Sequence, residues 1–475
     1  MSDTKKQVVV IGNGMAGYRF CEKLLEYDAH HQYALTVLGD EAVPAYDRVA
    51  LSSLFTGRPE QELFFAEKRW YDYYKIDLQL GTRAVSINRD AKTVMTADGS
   101  AYPYDKLVIA TGSRPLIPAI GNIDLEGVHV YRTTEDVHAL RDEAREAKKA
   151  VIIGGGLLGL EIAEACRELG VETTILERAP FLMPLQLDTM AGKLLDMNIE
   201  QLGIHLKLEA HVRKLEGGAR VERVVLENGE AFDADLVVIT AGITPNDEIG
   251  IEAGLVPGQN GGIAVNERVL TSDPDIYAIG ECASFDNDLF GLVAPCYAMA
   301  EAAAAHLGDI NRVFEKWMPA SKLKLLDLHV SSLGQTHLTE EEATFFIDQD
   351  IQKGVYKKLL ISKDWKTLLG AILVGEDSEF ERLRKAISKQ TPFPANPRDW
   401  LAPINQPLRL EVEMEDDDVV CFCNYVTKGD ICRAIDAHNL KTAGEVMAHT
   451  YAAGLCGSCM DTVIAVTKQY VEHGI

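Results

Sequence analysis

The chain has 475 residues, 47% of them hydrophobic and 25% charged, with a formal net charge of −25. That length exceeds one ordinary core, so about two to four domains are expected. The acidity argues against sequence-independent nucleic-acid binding, no apolar run approaches the roughly 18–20 residues that span a bilayer, and the polar start Met1–Gln7 runs straight into an apolar strand rather than a signal peptide, which points to the cytoplasm.

Val8–Ile11 reads as a buried strand. It enters Gly12-Asn13-Gly14-Met15-Ala16-Gly17, a helical pattern runs through Leu25, and a second strand, Ala34–Leu38, ends at Gly39-Asp40-Glu41. Strand, glycine turn, helix, strand and acid is the order of a dinucleotide site. The glycines allow a tight turn and close backbone approach to a pyrophosphate. The helix start supplies N–H donors, and Asp40 or Glu41 would accept from ribose hydroxyls. The unit recurs at Ala150–Ile153, then Gly154-Gly155-Gly156-Leu157-Leu158-Gly159, a helix with Glu161 and Glu164, and Thr173–Leu176 ending at Glu177. Two complete units imply two bound dinucleotides. Glu161 is a candidate neighbour of the nicotinamide, against the plainer reading of a charge that balances the helix dipole.

Further apolar strands run into glycine turns. Leu107–Ala110 leads into Thr111-Gly112, Leu236–Thr240 into Ala241-Gly242, and Ile276–Ile279 into Gly280-Glu281. An alanine-rich helix starts near Pro295 and runs through His306. From about Leu323 the pattern changes to strands at Leu323–Leu333, Gly354–Ser362 and Thr367–Val374 and a helix at Ser378–Ser388, an α+β unit. Prolines 394, 397, 403 and 407 and the acidic run Glu411–Asp418 then read as a linker.

These motifs resemble the two-dinucleotide flavoprotein reductases, the group of ferredoxin and rubredoxin reductases. Within that group, Ile11-Gly12-Asn13-Gly14-Met15, Ala45-Tyr46-Asp47-Arg48-Val49, Gly154–Glu161 and Phe290-Gly291-Leu292-Val293-Ala294-Pro295 look like the N-terminal half of the assimilatory NADH nitrite reductase large subunit. The electron-transfer subunit of bacterial assimilatory nitrate reductases shares this architecture. The resemblance implies FAD on the first glycine turn and NAD(P)H on the second. It implies Arg48 at the FAD pyrophosphate and Glu281 on the ribityl chain, where most members carry Asp. It also points the helix after Pro295 at the flavin N1 edge. Many relatives carry Lys near the flavin where this chain has Ser53.

Four of the nine cysteines crowd the C-terminal end. Cys421-Phe422-Cys423 and Cys456-Gly457-Ser458-Cys459 are 32 residues apart. Four thiolates suit zinc or a [2Fe–2S] cluster, and C-x-C is tighter than the usual zinc pair. The order resembles the bacterioferritin-associated ferredoxin module, a small helical [2Fe–2S] carrier. Thr427-x-x-Asp430, Thr442-x-x-Glu445 and Ser458-x-x-Asp461 look like capping boxes that open its helices. Cys432 lies inside one of those helices and reads as packing. The other cysteines do not supply the C-x₅-C and C-x₃-C set of a sirohaem domain, so the final acceptor is expected to be another polypeptide. A disulfide reductase of the same fold would need a flavin-facing cysteine, and Ala42–Leu54 contains none.

The expectation is an α/β protein with a two-dinucleotide-binding flavoprotein reductase fold, an α+β domain and a small helical [2Fe–2S] module. The FAD-binding domain would span 1–115 and 246–315, with an inserted NAD-binding domain at 116–245. The α+β domain would cover 316–398, the linker 399–419 and the cluster module 420–475. The resemblance implies an NADH-dependent oxidoreductase that feeds the catalytic subunit of an assimilatory nitrate or nitrite reductase through FAD and the cluster. The other reading is a stand-alone ferredoxin- or rubredoxin-type reductase. A homo-oligomer is compatible with the sequence.

Overall fold

The computed structural model describes residues 5–325, 328–392, 396–401, 414–416, 418–421, 424–454 and 459–473. Two five-stranded sheets built from short apolar runs organise the first 310 residues. The first has the order Ile276–Ala278, Lys106–Ile109, Lys6–Ile11, Tyr33–Leu38, Asp77–Gln79, with every neighbour parallel. The second has the order His205–Lys207, Glu172–Leu176, Lys149–Ile153, Leu236–Ile239, Val128–Val130, again all parallel. Parallel strands covered on both faces need no polar alternation, which is why VVVI and AVII sit at the centres. Each unit also carries a three-stranded antiparallel sheet, Ala84–Pro103 in the first and Val212–Asp233 in the second.

The strand Ile276–Ala278 joins the first sheet beside Lys106–Ile109, so the chain returns to it after building the second. The two passages between the sheets, Ser113–Pro115 and Ile243–Pro245, pair antiparallel. The returning chain then forms the helix Val293–Leu307, which packs along Met15–Tyr27. Alanines 300 and 302–305 are fully buried there, and their small side chains let the two backbones approach.

Residues 320–374 form a five-stranded antiparallel sheet covered by the helix Phe380–Ser388. The sequence pattern suggests one strand over Leu323–Leu333. The structure instead divides it into Ala320–Leu325 and Leu328–Gly334, which pair with each other. Leu326 and Asp327, which stand between the two strands, lie outside the described residues, and in the sequence Asp327 alone interrupts the apolar run Leu325–Leu328. The edge strand Ala343–Asp350 has a polar, exposed second half, so its sequence carries little strand signal.

The last unit has three helices, Lys428–His438, Ala443–Thr450 and Met460–His473, below a hairpin of Val419–Cys421 with Val426–Thr427. Its own core contains Val420, Ile431, Ile435, Val446 and Val463. The capping boxes Thr427/Asp430 and Thr442/Glu445 both form, while Ser458 of the third lies outside the described residues. Of the expected linker, residues 402–413 and 417 lie outside the described residues, whereas Leu401 packs on the α+β domain and Met414 joins the core of the last unit. The sequence suggests that this module hangs on a flexible tether. The structure seats it against the first domain, because cation and anion partners lie far apart in sequence, at Lys23 and Asp430. Among the described residues, no helix is long and apolar enough to cross a membrane.

Candidate functional site: two glycine cradles and a cysteine module

The two glycine turns are the same object built twice. Gly12 and Gly154 adopt φ of +110° and +116°. A Cβ on Gly12 would lie 2.2 Å from the Ala110 carbonyl oxygen, and one on Gly154 2.5 Å from that of Thr240. Gly17 and Gly159 hold helix against strand, where a Cβ would fall 2.1 and 2.0 Å from the carbonyls of Gly12 and Gly154. Gly14 and Gly156 behave differently. Each caps its helix without a side-chain hydrogen bond, and each faces open space where a Cβ would be. The first N–H groups of Met15–Tyr27 and Leu157–Glu168 therefore point into these cradles with the helix dipoles behind them. Neither first turn carries an acid that would repel phosphate. In the first cradle, Asn13 Nδ2 is buried without a hydrogen-bond partner among the described residues, while Asn13 Oδ1 accepts from Tyr71. Both cradles fit a dinucleotide pyrophosphate.

The acids after the second strands differ. Glu177 accepts from Gly155 N and Ala179 N, each at 2.7 Å, so its carboxylate is fixed at the loop edge. By register, the matching position in the first unit is Gly39, because Ile11 pairs with Leu38 as Ile153 pairs with Leu176. Asp40 follows and is exposed, 3.6 Å from Arg83. Glu41 instead pairs with Arg48 and accepts from the Tyr46 hydroxyl at 2.7 Å.

Arg48 also donates to Tyr46 Oη and to the Arg132 carbonyl, both at 2.9 Å. The Arg132 side chain pairs with Glu281, which accepts from Ser113 Oγ at 2.8 Å. A polar chain thus runs from Glu41 to Glu281 and joins four distant segments. Arg132 is not legible in the sequence, and Ser113 is legible only as the end of the turn Thr111-Gly112-Ser113. Arg132 precedes the helix cap Thr133 and belongs to no motif, and Ser113 is an ordinary strand residue. Gly280, at φ +78°, places a virtual Cβ 3.1 Å from Ala16 Cβ, which brings Glu281 beside the first cradle. Thr111 and Gly112 lock onto Asn246, where the Thr111 hydroxyl donates to the Asn246 carbonyl at 2.5 Å and Asn246 N donates to Gly112 O at 2.9 Å. Gly242, at φ +124°, turns the chain into the paired crossing strand.

Glu161 sits just past the first turn of Leu157–Glu168. Burial, with Glu164 nearby, pushes its carboxyl up to about 7. In the last unit Cys421 ends a strand and Cys459 precedes the helix Met460–His473, and both are buried in one core. Cys423 and Cys456 lie outside the described residues. The donor chemistry of the described pair, two buried thiols from separate segments at one core, suits a cluster or a metal.

Comparison with known proteins agrees with this geometry. Residues 6–308 match the pyridine nucleotide-disulphide oxidoreductase family, 319–391 the rubredoxin NAD⁺ reductase C-terminal domain, and 419–468 the BFD-like [2Fe–2S] binding domain. The chain is 39% identical to the NADH nitrite reductase large subunit of Escherichia coli (strain K12), covering 99% of this chain and 56% of that protein. It is 36% identical to the assimilatory nitrate reductase electron transfer subunit of Bacillus subtilis (strain 168), covering 97% and 59%. The chain thus spans between half and two thirds of these two relatives. Among solved structures, the ferredoxin reductase for the CYP199A2 system from Rhodopseudomonas palustris superimposes with a TM-score of 0.75 at 27% identity, covering 82% of this chain and 96% of that one. The chain belongs to the pyridine nucleotide-disulphide oxidoreductase family. As a member it is an oxidoreductase that binds FAD and NAD(P)H, and its last domain binds a [2Fe–2S] cluster.

The cradles predict a contrast between neighbouring glycines. Gly159→Ala should destabilise the fold by about 1–3 kcal/mol, because the new methyl meets backbone. Gly156→Ala should leave the melting temperature nearly unchanged and weaken dinucleotide binding. Equal melting losses in the two variants would contradict this account. Glu161 supplies a pH test. Its raised carboxyl stabilises the folded chain fully below the ordinary carboxylate range, and that contribution is lost as the pH rises through about 7. Urea denaturation should show the unaltered chain losing on the order of 2–3 kcal/mol relative to Glu161→Gln across that window. A gap that does not change with pH would show that the carboxyl is not held neutral.

Proposed function

We propose that this chain is an NADH-oxidising reductase subunit that passes electrons through FAD and a [2Fe–2S] cluster to a separate catalytic partner, an assimilatory nitrate reductase. The observation that carries the reading is the union, on one chain, of two equivalent glycine cradles with a cysteine module seated against the first. A nitrite reductase as the electron acceptor is the second reading, favoured by the 39% identity to a nitrite reductase large subunit.

In this reading Gly12, Gly14 and Gly17 hold the FAD pyrophosphate, and Gly154, Gly156 and Gly159 hold that of NADH. Arg48 and Glu281 face the flavin nucleotide, and Thr111, Gly112, Gly242 and Gly280 shape the backbone around it. Glu41 leaves its pairing with Arg48 to meet the ribose, since Gly39 offers no carboxylate there. The FAD-binding parts are 1–115 and 246–315, around the NAD-binding part 116–245. Cys421, Cys423, Cys456 and Cys459 ligate the cluster. Bound FAD supplies the conversion of a two-electron hydride into single electrons, which a one-electron cluster requires. NADH leaves as NAD⁺, one proton is released, and the two electrons pass singly to the partner. The chain's own contribution is to bind and orient: helix N-termini take the phosphates, the crossing strands fix one domain against the other, and Glu161 holds a proton near the second cradle.

Glu177 sets the nucleotide preference. Its fixed carboxylate would accept from a 2′-hydroxyl and repel a 2′-phosphate, whereas the exposed Arg178 beside it would favour that phosphate. The expected result is kcat/KM for NADH above that for NADPH by about tenfold or more, equivalent to 1.4 kcal/mol. Preference for NADPH would refute the assignment. The cysteine assignment has its own test: Cys421→Ser or Cys459→Ser should lose iron, keep FAD, and keep NADH-driven reduction of ferricyanide. Retained iron in both variants would remove those cysteines from the ligand set.

A further inference from the structure

The cysteine module touches the first domain through a surface with several independent parts. At its centre, Lys23 Nζ lies 2.8 Å from Asp430 Oδ1, and Arg19 Nη2 lies 3.5 Å from Asp430 Oδ2. The Lys23 and Asp430 side chains are 4% and 13% exposed, so this is a nearly buried ion pair between domains. The two cations hold the Asp430 carboxyl well below the ordinary carboxylate range. Arg19 is in turn braced by the buried Glu301, at 2.6 Å. Asp430 is also the N3 residue of its own helix cap, accepting from Thr427 N at 3.0 Å. One carboxylate therefore orders the module's first helix and joins it to the neighbouring domain.

The rest of the surface comes from the residues flanking the cysteines. Tyr425, two positions after Cys423, packs on Ala294 and Tyr297, with Met15, Val293 and Val419 around them. Met15 is the first residue of the first-cradle helix, and Val293 and Ala294 begin the helix that packs along it. Tyr451, five positions before Cys456, donates to the Phe65 carbonyl at 3.2 Å and sets its ring edge-on to Phe65 at 5.6 Å. Both tyrosines hold left-handed backbone, at φ +46° and +57°, a conformation that costs energy in a bulky residue. Asn424 Nδ2 donates to the Tyr451 carbonyl at 2.6 Å and ties the two segments together.

Resting on the function proposed above, we infer that this surface is a built-in electron port: Lys23 and Arg19 on the flavin domain receive Asp430, and so turn the cysteine end of the module toward the first cradle of the same chain. Asp430, Lys23, Tyr425 and Tyr451 are positioning residues. They touch no reacting atom, and they act by keeping the donor-to-acceptor separation short, on which electron tunnelling depends exponentially. The port's occupant is the module of this chain, selected by an anion that meets two cations within a ring of aromatic contacts.

The test uses the full-length protein carrying its cofactors, in three variants: Asp430→Asn, Lys23→Met, and the two combined. Asparagine keeps an oxygen for the helix cap, and Lys23→Met leaves the module itself untouched. Each single variant breaks the interdomain pair while leaving Glu26 on Lys23, or Arg19 and Arg433 on Asp430, whereas the double variant removes both partners. Small-angle scattering should show larger overall dimensions in each single variant, and less than the summed change in the double. After rapid mixing with NADH, cluster bleaching should slow by about tenfold or more in the single variants, while ferricyanide reduction and iron content stay as in the unaltered chain. Unchanged dimensions and unchanged bleaching in both single variants would overturn the port. If NADH fails to bleach the cluster of the unaltered chain, the functional reading fails instead, and the scattering comparison alone then decides the port.

Discussion

The architecture depends on one close approach: a helix laid on the carbonyl of the turn that precedes it. At Gly17 over Gly12, and again at Gly159 over Gly154, a single methyl group would collide with backbone oxygen. That contact fixes the angle at which each helix leaves its sheet. The helix start then points at open space beside Gly14 or Gly156, with no side chain to satisfy its N–H groups. Helix-start donors that no protein group satisfies are tolerable where an anion completes them. The sheet order, the crossing strands and the return of Ile276–Ala278 to the first sheet serve to set two such cradles in one body.

Those cradles were legible because their chemistry is local. A glycine is required where φ is positive or a Cβ collides, and the flanking strand and helix follow within some 30 residues. The cysteine pairs and two capping boxes were legible for the same reason. What could not be read locally is whatever two distant segments make together. Arg132 meets Glu281 across 149 positions, and Lys23 meets Asp430 across 407. No periodicity connects such pairs, so the module looked detached in the sequence. The first unit shows a subtler limit. Gly39, Asp40 and Glu41 are read after its strand, but the sequence does not show that Asp40 stands exposed near Arg83 while Glu41 pairs with Arg48 and Tyr46.

Electrostatics explains how an acidic chain keeps anion sites. The cradles draw on backbone N–H groups and helix dipoles rather than on lysines, and the nearby cations are paired. Arg48 pairs with Glu41, and Arg132 with Glu281. Such pairing keeps the guanidinium groups oriented. The same economy appears at the module, where Asp430 closes a helix cap and an interdomain ion pair with one side chain.

The central claim is that electrons from the nicotinamide reach the cysteine module of the same chain. Anaerobic addition of NADH to the purified full-length protein, followed by low-temperature electron paramagnetic resonance, tests it most directly. The account predicts a reduced [2Fe–2S] signal that accumulates stoichiometrically with the chain, at a rate independent of protein concentration. A cluster that is present but stays oxidised after the flavin is reduced would contradict it, as would reduction whose rate rises with protein concentration.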